Sequence, residues 1–235
     1  MSVFRIAMDG PVAAGKGTVA RLVANRLNFL YVDTGAMYRM VAYLALEAKV
    51  NLEDEVALCK LIEKSTMDMQ NPTEAEKDGR LTTVILNGED VSWKIRTEQI
   101  SVGASKVAQF PKVRAALVKQ QQKIAQTQSV VMEGRDITFR VLPEAELKVF
   151  LTASDIVRAK RRYQELQTRG QDVEFESVYK DLLERDQRDM QREVDPLHIT
   201  SDAWVLDTSD LEIEKVVDSI EARVKVTREH LTRQK

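Results

Sequence analysis

Residues 5–23 read RIAMDGPVAAGKGTVARLV, and this stretch decides the fold of the chain. An apolar run ends at Gly10, and from Val19 onward apolar residues recur at the spacing of a helix. The chain contains only nine glycines, yet three of them lie between Gly10 and Gly17, together with a lysine. The pattern predicts a strand, a glycine-rich loop and a helix, in that order.

The loop between the predicted strand and helix has the spacing of a phosphate-binding loop. Gly10 and Gly15 are separated by four residues, and Lys16 follows directly. Glycines allow backbone N–H groups to curl around a phosphate chain, and the N-terminus of the next helix attracts the same anion. An ordinary strand-to-helix turn needs neither this spacing nor the lysine. We therefore expect Lys16 to reach the β and γ phosphates of a nucleotide.

Four further apolar runs have the length of buried strands: FLYVD (29–33), SVVME (129–133), LKVFL (147–151) and AWVLD (203–207). Helix-length segments separate most of these runs. Continuous apolar strands that alternate with helices favour a parallel sheet covered on both faces. We therefore predict an α/β fold, in which a five-stranded parallel sheet is flanked by helices.

Residues 65–96 break this alternation. The run RLTTVILNGEDV is rich in Thr, Val and Ile, and its Asn87-Gly88 pair is a turn signal between strands. We predict a small β-rich insert here. Near the C-terminus, EIEKVVDSIEARVKV predicts an amphipathic helix. The residues on its core face would be Ile213, Val216, Val217, Ile220 and Val224.

Composition narrows the classes of function. The chain has 235 residues, 43% of them hydrophobic, with 35 Lys and Arg against 37 Asp and Glu. This balance argues against a nucleic-acid partner or an anionic membrane surface. No apolar run approaches the ~18 residues of a membrane span, and no leader-like segment opens the sequence, so we expect a cytoplasmic protein. Cys59 is the single cysteine, and two distant histidines complete no zinc-ligand spacing.

Polar clusters follow the predicted strands. DTGAMYR (33–39) and EGRD (133–136) each begin at a strand end, where parallel sheets bind their ligands. ERDQRDMQRE (184–193) places three arginines on one helix face, and RAKRR (158–162) adds a further basic patch. Taken singly, each cluster could instead be a polar turn or a solvated charged face. Together they predict a cleft in which two polyphosphates meet.

In order and spacing, six blocks of the sequence resemble the bacterial cytidylate kinase family. The blocks are GPVAAGKGT, DTGAMYR, ASKVAQFPKVRAAL, EGRD, RAKRRYQEL and ERDQRDMQREVDPL. The resemblance runs from about Val3 to Ile220. The first block is common to the P-loop nucleoside monophosphate kinase superfamily, and the others are typical of this family. The resemblance implies transfer of the γ-phosphoryl group of ATP to CMP or dCMP, with Mg²⁺.

The resemblance also implies a division of the chain. The core would comprise residues 1–64, 97–157 and 171–235, with a CMP-binding insert at 65–96 and a helical lid at 158–170. Lid closure would bring basic residues onto the polyphosphate and exclude water, which otherwise hydrolyses ATP wastefully. We also expect a monomer.

Residue roles follow from the resemblance as well. The implied ATP-binding residues are Gly10, Pro11, Val12, Ala13, Ala14, Gly15, Lys16, Gly17, Thr18, Arg158, Arg161 and Arg162. The implied CMP-binding residues are Thr34, Tyr38, Arg39, Ser105, Arg114, Arg135, Asp136, Arg185, Asp189 and Arg192. The implied catalytic cations are Lys16, Arg135, Arg185 and Arg192.

Two features of the blocks differ from the usual pattern. The hydroxyl that normally follows the loop lysine is replaced by Gly17, with Thr18 next. We therefore expect Mg²⁺ to arrive with ATP and to meet Thr18 or Glu133 through water, with no direct protein ligand. After GRDI the family usually continues Gly-Thr-Val-Val-Phe-Pro, whereas residues 138–143 read TFRVLP. This change is expected to alter the local loop geometry, and Arg140 is expected to lie on the surface.

Two other classes of protein share the loop. Kinases for adenylate, shikimate or dephospho-coenzyme A would have the loop without the FPKVR and ERDQRD blocks. A GTP-dependent switch would need an Asn-Lys-x-Asp guanine-reading motif, and the sequence has none. A screen of nucleoside monophosphate acceptors with ATP separates these classes.

Overall fold

The computed structural model describes residues 3–76, 78–168 and 170–233. The predicted domain limits at residues 1 and 235 lie outside the described residues. The same holds for residue 77 of the predicted insert and residue 169 of the predicted lid.

The strands and helices are numbered along the chain. The strands are β1 (Arg5–Asp9), β2 (Leu30–Asp33), β3 (Met67–Gln70), β4 (Thr83–Leu86), β5 (Glu89–Asp90), β6 (Val130–Gly134), β7 (Leu147–Thr152) and β8 (Trp204–Asp207). The helices are α1 (Lys16–Leu27), α2 (Thr34–Glu47), α3 (Glu55–Glu63), α4 (Glu98–Val107), α5 (Pro111–Thr127), α6 (Asp155–Thr168), α7 (Phe175–Gln191) and α8 (Ile213–Arg233).

Within the described residues, five strands form a parallel sheet in the order β2-β6-β1-β7-β8. These are the five strands that the apolar runs predict. The ends of β2, β6, β7 and β8 differ from the predicted runs by at most one residue, and β1 begins at Arg5, within the apolar run SVFRIAMD (2–9). The α/β fold class is therefore confirmed. Because all strands run in one direction, their carboxyl ends share one edge, where the polar clusters are brought together.

Apolar side chains pack on both faces of this sheet. Ala7 of β1 points into a core formed with α2, α3, α4 and α5, whereas Ile6 and Met8 point into a second core formed with α1 and α8. This alternation is the period of a strand with both faces buried. The closing helix contributes four of its five predicted core residues. Ile213 is the exception: it is 49% exposed, because it begins the helix beyond the edge of the sheet.

The predicted β-rich insert is a small antiparallel sheet in the order β3-β4-β5. Asn87 and Gly88 both have positive φ, as the turn signal requires. The side chain of Asn71 joins this insert to the main sheet, since it donates to the carbonyl of Phe29 (2.7 Å) and accepts from the amide of Tyr31 (3.0 Å). Asn71 thus satisfies backbone groups at the open edge of β2.

Across residues 3–76, 78–168 and 170–233, no helix is both long enough and apolar enough to cross a membrane.

Candidate active site

The phosphate loop follows the central strand without a break. Gly10 has φ +151°, and a Cβ at this position would stand 2.0 Å from the carbonyl oxygen of Leu151 on the neighbouring strand. Gly15 adopts a left-handed conformation (φ +90°) immediately before α1. The strand, loop and helix predicted from the sequence are confirmed, and the N-terminus of α1 faces the loop.

Lys16 is folded back over the loop. Its side chain is 5% exposed, and Nζ donates to the carbonyl of Pro11 at 2.7 Å. Burial and the neighbouring charge of Arg135 together lower the pKa of Lys16 to about 7, against the opposing effect of Glu133. A phosphate chain at this position would supply the negative charge that favours the ammonium form.

A buried ion pair holds the loop from below. The Val12 amide donates to Asp186 Oδ1 (3.2 Å), and Arg158 Nη1 donates both to the Val12 carbonyl (3.0 Å) and to Asp186 Oδ2 (2.5 Å). Arg158 and Asp186 are 3% and 6% exposed. Arg158 also donates from Nε to the carbonyl of Ala153 and from Nη2 to Asp155. Both ends of one loop residue are therefore tied to α6 and α7.

The other two arginines of the RAKRR block lie further along α6. Arg161 donates to the carbonyl of Ala14 (3.5 Å) and to the hydroxyl and carbonyl of Thr208 (3.1 and 2.7 Å). Arg162 is half-buried and pairs with Glu165 at 2.9 Å. Of the three, Arg158 is buried and supports the loop, whereas the Arg162 side chain is 33% exposed.

Two carboxylates stand side by side at the ends of β2 and β6. Asp33 and Glu133 are register partners on these adjacent strands. Burial raises the pKa of Glu133, and the negative charge of Asp33 raises it further. Burial acts in the same direction on Asp33, but Arg39 and Arg96 outweigh it and lower the pKa of Asp33 below its usual value. Arg39 donates to Asp33 at 3.2 Å.

Glu133 also lies beside the first turn of α1. The Tyr31 hydroxyl donates to Glu133 Oε1 at 3.2 Å, and a Cβ on Gly17 would stand 3.3 Å from the same oxygen. The Thr34 hydroxyl donates to the Glu133 carbonyl at 2.8 Å. The glycine that follows the loop lysine therefore leaves space for this carboxylate.

The unusual segment after GRDI forms a π-helical turn, Ile137–Val141. The buried carboxylate of Asp9 accepts from the amides of Ile137 (2.9 Å) and Thr138 (2.8 Å) and from the Thr138 hydroxyl (2.7 Å). Burial raises the pKa of Asp9, and these hydrogen bonds oppose the rise. Thr138 thus binds the end of β1 directly. Arg140 is 52% exposed, in agreement with the expected surface position.

Positive charge converges above the phosphate loop. Arg135 donates from Nε to Asp189 at 2.7 Å and from Nη1 to the carbonyl of Gly134. Arg185 lies close by: burial lowers its pKa, and so do the charges of Arg135, Arg39 and Arg162. Within the described residues, no hydrogen bond holds the Arg185 side chain. Arginines brought together in this way form a site for an anion with several negative charges.

A second charged group surrounds the buried carboxylate of Asp136. Arg114 Nη2 donates to Asp136, and Arg114 stacks on the Tyr38 ring, with Cζ 5.9 Å from the ring centroid. Burial raises the pKa of Asp136 to about 6, although Arg114 and Arg192 oppose this. Arg192 follows the last residue of α7 and donates to the carbonyl of Asp195 at 2.6 Å. The structure thus brings four of the predicted CMP-binding residues together: Tyr38, Arg114, Asp136 and Arg192.

Not every predicted residue joins these groups. Ser105 is exposed on α4, and its hydroxyl donates to the Ser101 carbonyl of the same helix at 3.3 Å. Arg188 is exposed on α7, and its Nε donates to the carbonyl of Glu184 at 3.2 Å. Arg192 lies just beyond Gln191, the last residue of that helix. The helix face that the sequence assigns jointly to Arg185, Arg188 and Arg192 stays a prediction.

Sequence reasoning missed several residues of the site. Asp9 precedes the phosphate-loop block and Asp186 lies inside the ERDQRD block, so their positions gave a signal, but their partners come from distant segments. Arg96 has two buried nitrogens without hydrogen-bond partners in the described part of the chain, although its charge acts on Asp33. Asp195 accepts from Arg114 and Arg192; it lies inside the last block, but no spacing pattern there singled it out.

Comparisons with known proteins identify the family to which the chain is similar. The family model described as Cytidylate kinase matches residues 6–226. The cytidylate kinase of Geobacillus sp. (strain WCH70) is 48% identical over 216 residues, which cover 92% of this chain and 94% of that protein. The cytidylate kinase of Bacillus subtilis (strain 168) is 44% identical over 215 residues, which cover 92% and 93%.

One solved structure supports the fold. The crystal structure of an uncharacterized protein from Eubacterium ventriosum superposes with a TM-score of 0.54, at 10% identity, and the match covers 94% of this chain and 98% of that one. At this identity the likeness concerns the arrangement of helices and strands alone.

The buried pair beneath the loop gives a first prediction. Arg158→Met keeps the length of the side chain but leaves the Asp186 carboxylate buried without its cation, so the free energy of unfolding should fall by about 3 to 5 kcal/mol. Arg162→Met removes a half-exposed pair on the same helix and should cost less than about 1 kcal/mol. Urea unfolding of both variants measures the difference, and equal losses would contradict the anchoring of Val12 by Arg158.

Proposed function

The chain belongs to the cytidylate kinase family, which transfers the γ-phosphoryl group of ATP to CMP or dCMP, and we propose which of its residues perform each part of that transfer. It is an enzyme of pyrimidine nucleotide metabolism. The observation that carries the assignment is the convergence of Arg39, Arg135, Arg162 and Arg185 above the phosphate loop. Two phosphorylated substrates that meet there would supply the opposing charge.

On the ATP side, residues 10–18 bind the phosphate chain. Their amides and the N-terminus of α1 neutralise the β phosphate, while Lys16 exchanges the Pro11 carbonyl for phosphate oxygens. We assign Arg162 to the γ phosphate, because its side chain is 33% exposed and its charge acts on Arg185. Arg161 borders the loop at Ala14, and Arg158 serves ATP indirectly by holding Val12.

On the CMP side, the two charged groups divide the nucleotide between them. Arg39, Arg135 and Arg192 bind the phosphate, and Arg185 and Asp189 bind the ribose. Thr34, Tyr38, Ser105, Arg114 and Asp136 surround the cytosine. Asp136 accepts from the N4 amino group and Arg114 donates to N3 or O2, while Tyr38 packs next to Arg114.

Mg²⁺ fits the donors beside the loop. Asp33 and Glu133 are hard oxygen ligands on adjacent strands, and the mutual effect of their charges would be relieved by a cation. In the described residues, no group of three or more metal-ligating side chains is present, which is consistent with an ion that keeps several waters. Thr18 and Glu133 would hold such waters, and the bound ion would neutralise charge on the β and γ phosphates.

Phosphoryl transfer requires little covalent chemistry from the protein. The reaction depends on two aligned nucleotides and on cations that neutralise charge as it develops on the moving group. Lys16 acts from the ATP side, while Arg135, Arg185 and Arg192 act from the CMP side. Lys16 is buried and Arg135 and Arg192 are half-buried, which strengthens their interactions because the local dielectric is below that of water.

We extend the proposal to domains, oligomeric state and location. Residues 65–96 form the CMP-binding insert, which contacts the loop side of the core where Leu81 lies about 4.0 Å from a Cβ built on Gly17. Residues 158–170 form the lid, and the part beyond Arg161 moves when the substrates bind. The protein acts as a monomer in the cytoplasm, with ATP, CMP and dCMP as its partners and with no nucleic acid or membrane surface.

Lys16 provides the first test of the ATP side. Lys16→Ala should lower kcat by roughly a hundredfold, which corresponds to about 3 kcal/mol of lost transition-state stabilisation. Lys225→Ala, at an exposed lysine of α8, should leave kcat unchanged. A coupled ADP-release assay measures both variants, and near-normal turnover in a folded Lys16→Ala protein would rule out the loop assignment.

Asp136 provides the test of base choice. Uracil would place an oxygen against the Asp136 carboxylate, leaving buried charge unpaired at a cost of about 2 to 4 kcal/mol, or roughly thirty- to a thousandfold in kcat/KM. Asp136→Ala should therefore reduce CMP turnover strongly and UMP turnover little. Asp136→Asn keeps the shape of the side chain, and its amide can donate to uracil O4. The CMP preference should therefore fall because CMP activity decreases and UMP activity increases.

The pH profile gives a second readout for the same residue. Because the pKa of Asp136 is about 6, its accepting carboxylate is populated above this pH, and kcat/KM for CMP should fall as the pH drops below it. This acid limb should be absent from Asp136→Asn. An unchanged limb, or an unchanged ratio of CMP to UMP activity, would remove Asp136 from the base site.

Amide exchange tests the domains. CMP together with a non-hydrolysable ATP analogue should slow exchange in residues 65–96 and in the part of the lid beyond Arg161 more than in β1 and β6. The first turn of α6 should change less, because Arg158 already ties it to the loop. Protection that is uniform along the chain would indicate a rigid pocket and contradict the moving insert and lid.

A further inference from the structure

Asp195 lies in the loop after α7 and contacts Arg114 and Arg192, the two arginines that surround Asp136. Its backbone is left-handed (φ +49°), a conformation that Asp and Asn adopt more readily than other side chains. Its carboxylate is 16% exposed. The loop therefore holds a negative charge at the inner edge of the site, in a conformation that few other residues would accept.

Three arginines meet at this one residue. Arg114 Nε donates to Asp195 Oδ2 at 3.2 Å, and Arg140 Nε lies 3.7 Å from Oδ1. The backbone carbonyl of Asp195 accepts from Arg192 Nε at 2.6 Å and from its Nη2. These contacts join α5, the π-helical turn and the end of α7.

The contacts fix the orientation of Arg114. Each of its nitrogens has an acceptor: Nε meets Asp195, Nη1 meets the Ala108 carbonyl (3.3 Å), and Nη2 meets Asp136. A planar guanidinium with three acceptors in different directions cannot rotate without losing at least one of them. Asp195 therefore determines which edge of Arg114 is presented next to Asp136.

The Asp195 carboxylate also offsets the repulsion between two neighbouring arginines. Arg114 and Arg192 lie close enough for the charge of Arg114 to lower the pKa of Arg192. Without Asp195, the carboxylates of Asp136 and Asp189 would have to balance both cations in a site largely removed from water, where unpaired charge is costly. Asp195 binds one of them through its carboxylate and the other through its carbonyl, which keeps both arginines in place.

We propose that Asp195 is a positioning residue for the nucleoside monophosphate, acting through Arg114 and Arg192. The inference rests on the proposed function, because it assumes that these two arginines bind CMP. Asp195 does not itself contact the nucleotide, since its oxygens are engaged by arginines. Its loss should therefore weaken CMP binding and leave ATP binding and the chemical step largely unchanged.

Asp195→Asn and Asp195→Gly test this role, because both residues tolerate positive φ. Asn keeps the shape and removes the charge, whereas Gly removes the side chain without backbone strain. We expect KM for CMP to rise at least tenfold in each, with KM for ATP within twofold and kcat within threefold of the parent. Calorimetric titration with CMP should show a matching loss of affinity. Arg140→Ala removes only the outermost arginine and should leave all three constants within twofold.

Arg114→Ala and Arg192→Ala distinguish a failure of the proposed function from a failure of the positioning role of Asp195. If these variants keep the parental KM for CMP, the proposed function of the arginines fails, whatever Asp195 does. If they raise it and both Asp195 variants leave it unchanged or lower it, the positioning role of Asp195 is wrong. The proposal would also be overturned if both Asp195 variants raised KM for CMP and KM for ATP equally and lowered thermal stability. Asp195 would then have a structural role only.

Discussion

The central strand can turn into the phosphate loop only because residue 10 has no side chain. A Cβ on Gly10 would stand 2.0 Å from the Leu151 carbonyl oxygen, so any other residue would force β1 away from β7. The register of β1 with β6 pairs Asp9 with Gly134, which places Arg135 and Asp136 directly next to the loop. The ATP and CMP sides of the site therefore both depend on the close packing of three adjacent strands.

Buried charge is balanced by residues from distant segments throughout this site. Arg158 and Asp186 hold the Val12 peptide, Asp9 holds the turn at Thr138, and Asp136 pairs with Arg114. Removing one member of such a pair leaves the other charge or polar group buried and unsatisfied, which costs more than the pair contributes when intact. The pairs therefore make the positions of the loop, the π-helical turn and α5 depend on one another.

The segment after GRDI illustrates how a departure from the family pattern is accommodated. Thr138 turns its hydroxyl to Asp9, the Phe139 ring lies 4.2 Å from that of His198, and Arg140 pairs with Asp195. The changed residues form contacts with β1 and with the loop after α7. The segment forms a π-helical turn, and that turn leads the chain toward the arginines of the CMP group.

The sequence by itself determined the sheet, the phosphate loop and the β-rich insert, because each depends on a local pattern of residues. Apolar runs, glycine spacing and the Asn87-Gly88 turn depend on residues close in the chain, and each predicted the element that the structure contains. Blocks such as EGRD also indicated where Arg135 and Asp136 would lie, because parallel strands end at a common edge. Only the tertiary structure decided which charges are partners. The Arg158–Asp186 contact spans 28 residues, Arg114–Asp195 spans 81 and Thr138–Asp9 spans 129, and no periodicity relates residues at such separations. Those pairs are fixed by how the helices pack on the sheet. A charged or polar group that packing buries needs a partner, and the fold decides which group lies beside it.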